Sequence, residues 1–226
     1  LNEVTDETLN SEANLIFVGG SMMYFYSLLN GISKLPEKNE QFREELEKEA
    51  KNKGWKLMHK RLEEIDPEAA KTIKDTDSQR ILRALEVNHF SKTAFSKLKN
   101  LNEKSVIEDY QKFSFAVIPR CKKTFKNELK ERFEKMLELG LIQETKNILK
   151  YKDGERIRVL ETVGYKQVVD FIFSKISYEE MIELATNATY QLAKRQITWL
   201  KKFNLDKTFF SDEDDKVMKI LSMIKN

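Results

Sequence analysis

The sequence predicts an α/β protein that is predominantly helical and has only a few parallel strands. Only 7 Gly and 3 Pro occur among its 226 residues, which leaves few positions for the tight turns of β-hairpins. Lys, Glu and Leu are abundant and favour long helices. Two short apolar runs, residues 15–18 and 113–118, have the pattern of buried parallel strands. We therefore expect a small sheet among many helices.

Composition and charge exclude several classes of protein. The net charge of +3 among 34% charged residues does not indicate a general nucleic-acid binder, so any such site must come from local clustering. The single cysteine, Cys121, excludes an internal disulfide and fits a reducing compartment. His59 and His89 lack the spacing of metal ligands, so no metal-binding residue is predicted. No apolar run approaches the ~18 residues of a membrane span. We expect a cytoplasmic protein without membrane contact.

The first apolar run ends in Gly19 and Gly20, and Ser21 then precedes a helix predicted over 22–29. A strand, a glycine turn and a helix N-terminus together suit an anion, because backbone N–H groups and the helix dipole point towards it. An ordinary strand-to-helix turn would have the same sequence pattern.

The composition divides the chain into three segments. Residues 1–35 form part of a core that contains the first strand, the turn and its helix. After Pro36 a charged helical insertion covers 36–108. Its predicted helices are 41–53, 55–65 and 77–90. Residues 109–226 form the remainder of the core, with the second strand, C-terminal helices, and loops near Gly154 and Phe209.

Within the insertion, Arg80 and Arg83 are three residues apart on a predicted helix and so lie side by side, next to Gln79. Two guanidinium groups beside an amide suit phosphates or base edges. Alternatively, both arginines pair with Glu86 and nearby acids.

Residues 161–167, ETVGYKQ, place Gly164, Tyr165 and Lys166 in succession. This order allows close backbone approach, stacking on a base and a phosphate contact at one place.

The most cationic segment is 191–203, QLAKRQITWLKKF, which we predict to be a helix with one apolar and one cationic face. Trp199 lies at the border between the two faces. The cationic face consists of Lys194, Arg195, Thr198, Lys201 and Lys202. It is either a site for a polyanion or a solvated helix surface.

Four collinear motifs, VGGSMMY, QRILRALEV, ETVGYKQ and QLAKRQITWLKK, resemble those of the bacterial tRNA dimethylallyltransferases, also called tRNA isopentenyltransferases. The resemblance covers essentially the whole chain. It implies transfer of a dimethylallyl group from dimethylallyl diphosphate to N6 of the adenine 3′ of the anticodon. It also implies extrusion of that base from its stack, and a P-loop-type core, incomplete here, with an inserted helical domain that binds tRNA.

The resemblance also assigns roles to residues. It places Ser21 near the target adenine and the diphosphate, and Arg132 where a planar donor would neutralise charge on the leaving group. Gly19 and Gly20 belong to the donor-binding turn. The residues implied to contact tRNA are Ser21, Arg43, Gln79, Arg80, Arg83, Val163, Gly164, Tyr165, Lys166, Lys194, Arg195, Gln196, Thr198, Trp199 and Lys201.

Some positions depart from the family pattern. Glu128 stands where a second basic residue is expected, one turn before Arg132, and Glu161 and Lys166 stand where many relatives carry arginine. Lys166 keeps the charge, whereas Glu161 inverts it and is not expected to touch phosphate.

The family pattern also includes a phosphate loop, GxxxxGK[ST], and an aspartate that serves as general base, and nothing in this sequence matches them. We therefore expect Mg²⁺ to accompany the diphosphate with its protein ligand in a missing N-terminal segment, and these 226 residues alone to be inactive. The expected partners are the anticodon stem-loop of tRNA and dimethylallyl diphosphate, bound by a monomer. Two alternatives stay open: a non-catalytic RNA-binding helical module, and a small-molecule P-loop kinase, which would not explain the tRNA-facing motifs.

Overall fold

The structure is a computed structural model that describes residues 15–99, 104–105, 107–150 and 158–224. Backbone contacts divide the chain into two compact units. The first takes in the described residues up to Val18 together with Met23–Tyr110, and the second takes in Gly19–Met22 and the described residues from Gln111 onwards. The three-segment division of the sequence stays a prediction.

The first unit is helical. Its described helices are α1 (Met22–Asn30, which begins in the second unit), α2 (Glu40–Lys53), α3 (Trp55–Ile65), α4 (Pro67–Thr72), α5 (Ser78–Ser91) and α6 (Phe95–Lys99). Polar side chains fix three of the starts, because Asn39, Asp66 and Asp77 each accept a hydrogen bond from a backbone N–H in the first turn of the following helix. The helices predicted at 41–53, 55–65 and 77–90 are thereby confirmed, with boundaries that differ by at most one residue.

The core of the first unit lies where α2, α3, α4 and α5 meet. Met58, Leu62 and Ile81 are almost completely buried at its centre. Each such side chain contributes about 1.5–3 kcal/mol through removal of apolar surface from water. Leu46 and Ala50 lie one turn apart on α2. Both are buried in this core, on the side where α2 contacts α5. Helix α5, which carries Arg80 and Arg83, therefore packs its apolar face into this core.

The second unit combines helices with a small sheet. Its described elements are β1 (Phe115–Ile118), α7 (Lys122–Glu138), α8 (Leu141–Leu149), a 3₁₀ turn (Arg158–Glu161), α9 (Tyr165–Ile172), α10 (Tyr178–Leu200), β2 (Lys207–Phe210) and α11 (Lys216–Ile224). Helices α7, α8, α9 and α10 pack around Phe133, Val168 and Met181. Helix α10 begins with a capping box, in which Ser177 and Glu180 each bond the other's backbone N–H.

Strands β1 and β2 pair in parallel, with Phe115 opposite Lys207 and Ile118 opposite Phe210. The strand predicted at 113–118 is confirmed, but the loop predicted near Phe209 is wrong, because Phe209 lies within β2 and is fully buried. A strand of four residues is too short to show a period in the sequence, and its burial depends on a partner far away in the chain. The loop predicted near Gly154 lies outside the described residues.

The strand predicted at 15–18 does not form. Ile16 and Val18 are 80% and 89% exposed, and among the described residues no strand pairs with this segment. An apolar run becomes a buried strand only when a neighbouring strand takes up its backbone N–H and C=O groups. The helix predicted over 22–29 is confirmed, since α1 begins at Met22.

None of the described helices combines the length and the apolar character that crossing a membrane requires.

Candidate functional site

In the second unit, the turn Gly19–Ser21 touches α10. The side-chain Nε2 of Gln196 donates a hydrogen bond to the carbonyl of Gly20 at 2.8 Å. The backbone N–H of Met22 donates to the same carbonyl at 3.1 Å. A methyl group at Gly20 would lie 2.5 Å from Gln196 Nε2, so the close approach requires glycine. The first and the fourth sequence motifs therefore meet in one contact.

Ser21 directly follows this contact and is exposed. Within the described part of the chain its hydroxyl has no hydrogen-bond partner, which leaves the hydroxyl available to a ligand. The turn thus presents a free hydroxyl at the start of α1.

The cationic face predicted for 191–203 exists over most of its length. Lys194, Arg195 and Lys201 are all exposed. Helix α10 ends at Leu200, so the helix predicted over 191–203 is wrong for its last three residues. Lys201 forms the C-cap, and the residues after it lie in a turn. None of the three cations Lys194, Arg195 and Lys201 has an ion pair with a described residue, so they form an exposed cationic surface of the second unit.

Two other residues of this surface are engaged within the chain. The Thr198 hydroxyl donates to the carbonyl of Lys194 at 2.9 Å, which is the usual bond of a hydroxyl one turn along a helix. The Lys202 ammonium lies 4.2 Å from the centre of the Trp199 ring, within the range of a cation–π contact. Trp199 is half-buried, as expected for a ring at the border of the two faces.

Arg132 lies on α7 and is exposed. It has no ion pair with any described residue, and Glu128, one turn earlier, is also exposed. The helix orients this region by burying Leu129 and Phe133, which leaves Arg132 on the solvent side. Its guanidinium group therefore faces solvent, and its role at the diphosphate stays a prediction.

The segment around Gly164 is more constrained than its sequence suggests. Gly164 is buried and has a φ of 97°, a left-handed value that favours glycine, and its N–H donates to the Gln167 side chain at 2.9 Å. The Tyr165 hydroxyl donates to Glu144 at 2.5 Å, and this hydrogen bond raises the pKa of Tyr165. Val163 and Lys166 are exposed. A ligand at this place would meet Val163, Lys166 and the half-buried ring of Tyr165.

In the first unit, Glu86 joins two of the arginines that the sequence assigns to tRNA. Its carboxylate accepts from Arg43 Nε at 2.9 Å and Arg43 Nη2 at 2.7 Å, and from Arg83 Nη1 at 2.6 Å. The backbone N–H of Asn39 adds a fourth bond at 2.8 Å. Burial acts to raise the pKa of Glu86, but these hydrogen bonds, from Arg43 first, outweigh it and lower the pKa to about 2. The carboxylate is therefore charged throughout the physiological range.

The two arginines of this cluster keep part of their surface in solvent. The side chain of Arg43 is 23% exposed and that of Arg83 is 28% exposed, whereas Glu86 is fully buried. Arg83 is fixed further by a bond from Nη2 to the carbonyl of Pro36 at 2.8 Å. Two guanidinium groups share one carboxylate, so the cluster retains a positive charge. The alternative for Arg80 and Arg83, in which they pair with Glu86 and nearby acids, is what the structure shows, because Arg83 pairs with Glu86 and Arg80 pairs with Asp77.

The remaining predicted residues of α5 are more open. Gln79 is exposed, and Arg80 is 68% exposed with its Nε 3.4 Å from Asp77 Oδ2. Surface ion pairs of this kind hold a side chain only weakly.

A scan against protein-family models matches residues 1–203 to the model described as IPP transferase. The chain belongs to the IPP transferase family.

Three relatives of this chain bear the same name. The chain is 35% identical over 223 residues to the tRNA dimethylallyltransferase of Blochmanniella pennsylvanica. The matched region covers 96% of this chain and 73% of the relative. For the proteins of the same name from Francisella tularensis subsp. novicida and Nitrosomonas eutropha, the identities are 34% and 39%, over 90% and 84% of this chain. The chain spans 66% and 60% of their lengths.

Solved structures of the family share the fold. The tRNA delta(2)-isopentenylpyrophosphate transferase of Staphylococcus epidermidis matches with a TM-score of 0.56 and 25% identity, over 99% of this chain and 73% of that one. The full-length tRNA isopentenylpyrophosphate transferase of Bacillus halodurans matches with a TM-score of 0.51 and 26% identity. This match covers 90% of this chain and 63% of that one. A P-loop core stays a prediction for this chain.

For the Mg²⁺ expected in this family, the described residues offer no group of three or more His, Cys, Asp and Glu side chains that could hold a metal ion. The described residues thus do not form a site that would hold Mg²⁺.

Sequence reasoning found the motifs of the IPP transferase family but missed the contact between two of them. Gly20 and Gln196 are separated by 176 residues, and no periodicity or composition links positions so far apart. The family resemblance implies a contact of Gln196 with tRNA, which stays a prediction, and the structure places its amide against Gly20.

Proposed function

We propose that this chain transfers a dimethylallyl group from dimethylallyl diphosphate to N6 of the adenine 3′ of the anticodon in tRNA. The observation that carries the proposal is the contact between the Gly19–Ser21 turn and α10, because it brings a free hydroxyl to the helix whose cations are exposed. The names of the relatives support the same reaction. A single contact thereby links an RNA-binding surface to a group that can act on the reacting atoms.

The cations supply the affinity for RNA. Lys194, Arg195 and Lys201 bind phosphates of the anticodon stem-loop, and each phosphate neutralised releases counterions, which makes the binding sensitive to salt. In the first unit, Arg80 and the cluster of Arg43 and Arg83 bind further phosphates or base edges. The Tyr165 ring and Trp199 offer surfaces on which an unpaired base can stack.

The chemistry is a substitution at carbon. A bond forms between N6 of adenine and C1 of the dimethylallyl group while the bond from C1 to the diphosphate oxygen breaks, and the proton of N6 passes to a base. The Ser21 hydroxyl hydrogen-bonds at the reacting centre, and Arg132 binds the diphosphate as its charge develops. The electron pair of the broken bond leaves with the diphosphate.

The protein is proposed to work as a monomer in the cytoplasm, with a P-loop-type core that holds the donor. The kinase alternative has no support from the names of the relatives. It would be favoured if nucleoside triphosphates competed with dimethylallyl diphosphate for binding.

The test is incorporation of labelled dimethylallyl into an anticodon stem-loop RNA. The chain is assayed alone and fused to a segment that carries the GxxxxGK[ST] loop and the aspartate. An RNA with guanine in place of the target adenine is the control. Transfer in either preparation, absent with the control RNA, supports the proposal. Salt-sensitive RNA binding without transfer in both preparations would favour the non-catalytic RNA-binding module.

A further inference from the structure

The carbonyl of Gly20 is held by two donors. One is local, the N–H of Met22 at 3.1 Å, and the other is the Nε2 of Gln196 at 2.8 Å. A carbonyl oxygen accepts through two lone pairs, so both acceptor positions are used. The peptide group between Gly20 and Ser21 is therefore restrained by two residues, Gln196 on α10 and Met22 at the start of α1.

This second donor matters because of where the two glycines lie. Gly19 and Gly20 have the largest conformational freedom of any residues, so a turn built from them is mobile unless something outside it restrains it. Ser21 follows Gly20 directly, and its backbone orientation depends on that restraint. Gln196 supplies the restraint from an element that is itself packed into the core of the second unit.

On α10, Gln196 also differs from the cations around it. Arg195 and Lys194 are exposed, whereas Gln196 is half-buried and its amide is engaged with Gly20. One N–H of this amide donates to Gly20, and the amide, unlike its neighbours, carries no charge that would attract a phosphate. The helix thus uses its cations and its amide for two different contacts.

We propose that Gln196 is a positioning residue, which fixes the Gly20 carbonyl and thereby places the Ser21 hydroxyl, and which does not itself bind RNA. Its effect on turnover rests on the proposed function, whereas its effect on the turn does not. Because the neighbouring cations bind the RNA, the same helix sets the position of the substrate and of the hydroxyl. Misplacement of a reacting group by about 1 Å can cost on the order of a hundredfold in rate.

The geometry supplies a test in which two changes remove one hydrogen bond. Gln196→Ala removes the donor. Gly20→Ala adds a methyl group that would lie 2.5 Å from Gln196 Nε2 and 3.4 Å from Gln196 Cδ. Because these atoms are the flexible end of the glutamine side chain, the side chain can move away from the methyl group. Either substitution, or both together, should therefore break the contact to the same extent. Gln191→Ala, at an exposed glutamine of α10, is the matched control.

The first measurement is hydrogen exchange at the Met22 amide in the ligand-free chain. Each single substitution is expected to speed exchange about three- to tenfold, the equivalent of one neutral hydrogen bond. The double substitution is expected to add nothing further, and Gln191→Ala to change nothing. Additive effects, or an unchanged rate in Gln196→Ala, would overturn the proposal.

The second measurement separates binding from turnover. In Gln196→Ala, prenyl transfer is expected to fall by about tenfold or more while the Kd for the anticodon stem-loop stays within about twofold. A large loss of RNA affinity with unchanged exchange at Met22 would instead make Gln196 a direct RNA contact. If neither the chain alone nor the fused chain transfers a prenyl group, the proposed function fails. The exchange measurement still decides the role of Gln196, because it uses neither RNA nor donor.

Discussion

Arg43 holds Glu86 through two parallel hydrogen bonds, at 2.9 Å from Nε and 2.7 Å from Nη2, on a carboxylate that has no contact with solvent. The arginine itself remains 23% exposed. A bidentate pair of this kind fixes the plane of the guanidinium group as well as its position. The buried acid thus orients a cation whose outer edge faces solvent.

The first prediction concerns stability and pH. Glu86→Gln is expected to lower the free energy of unfolding at pH 7 by about 2–4 kcal/mol, because two arginines lose their charged partner inside the protein. The pKa of Glu86 is lowered from 4.5 to about 2 on folding. A group with a lowered pKa stabilises the fold above its unfolded pKa, and this contribution disappears as the pH falls through the folded pKa.

The measurement is urea unfolding of the parent and of Glu86→Gln between pH 7 and pH 2. The difference in unfolding free energy should be constant above about pH 5.5 and shrink towards about pH 2. Glu63→Gln, at an exposed position of α3, is the control and should show a small difference. A difference for Glu86→Gln that is independent of pH would mean that the carboxylate charge does not stabilise the cluster.

The second prediction concerns RNA binding by the cationic face of α10. Arg195→Ala and Lys201→Ala are each expected to weaken binding of the anticodon stem-loop. Each is expected to reduce the slope of log affinity against log salt by about 0.7–0.9, which corresponds to one lost phosphate contact. Fluorescence anisotropy over a range of salt concentrations gives both quantities. Lys146→Ala, at an exposed lysine of α8, is the control. Equal slopes in all four proteins would identify the cationic face as a solvated surface.

The third prediction concerns Ser21. In a complete enzyme that includes the GxxxxGK[ST] loop and the aspartate, Ser21→Ala is expected to lower prenyl turnover by roughly tenfold to a thousandfold with little change in RNA affinity, because one hydroxyl near the reacting centre acts on the transition state. Ser21→Thr keeps the hydroxyl and should recover most of the rate. Steady-state kinetics and RNA-binding titrations on the same preparations provide the comparison. Unchanged turnover in Ser21→Ala would show that the residue only begins the helix.

The fourth prediction concerns Arg132. Arg132→Ala is expected to raise the KM for dimethylallyl diphosphate and to lower kcat, each by about tenfold or more, since a bidentate donor to the leaving group is lost. RNA affinity should not change. Lys126→Ala removes an exposed cation from the same helix and serves as the control. Donor kinetics that are the same in Arg132→Ala and the parent would exclude Arg132 from the donor site.

The local parts of the fold could be predicted from the sequence, and the long-range parts could not. Helix α3 has the predicted bounds, Trp55–Ile65, because its apolar spacing and the flanking Gly54 and Asp66 are local signals. Strand β2 was missed, since four residues carry too little pattern and its burial comes from pairing with β1. The predicted strand at 15–18 had the right composition but finds no partner among the described residues.

The same limit applies to the candidate site. The cations of α10 and the arginines of α5 were identified because residue types and helical spacing are enough to place them on a surface. The sequence could propose that Glu86 pairs with these arginines, but not that Arg43, from another helix, completes the cluster. The contact of Gln196 with Gly20 depends on how the chain folds back on itself, which no local pattern records.

The parallel pairing of β1 with β2 has a consequence for the order of folding. The N–H of Ser114, just before β1, donates to the side chain of Asp206, 92 residues later. Closing a disordered loop of that length costs about 4 kcal/mol of chain entropy. The helices between the two strands pack mainly against their neighbours in sequence, so they have low contact order and form without that cost. Once formed, they shorten the loop that must close before the strands can pair. We therefore expect the sheet to be the last part of the second unit to assemble.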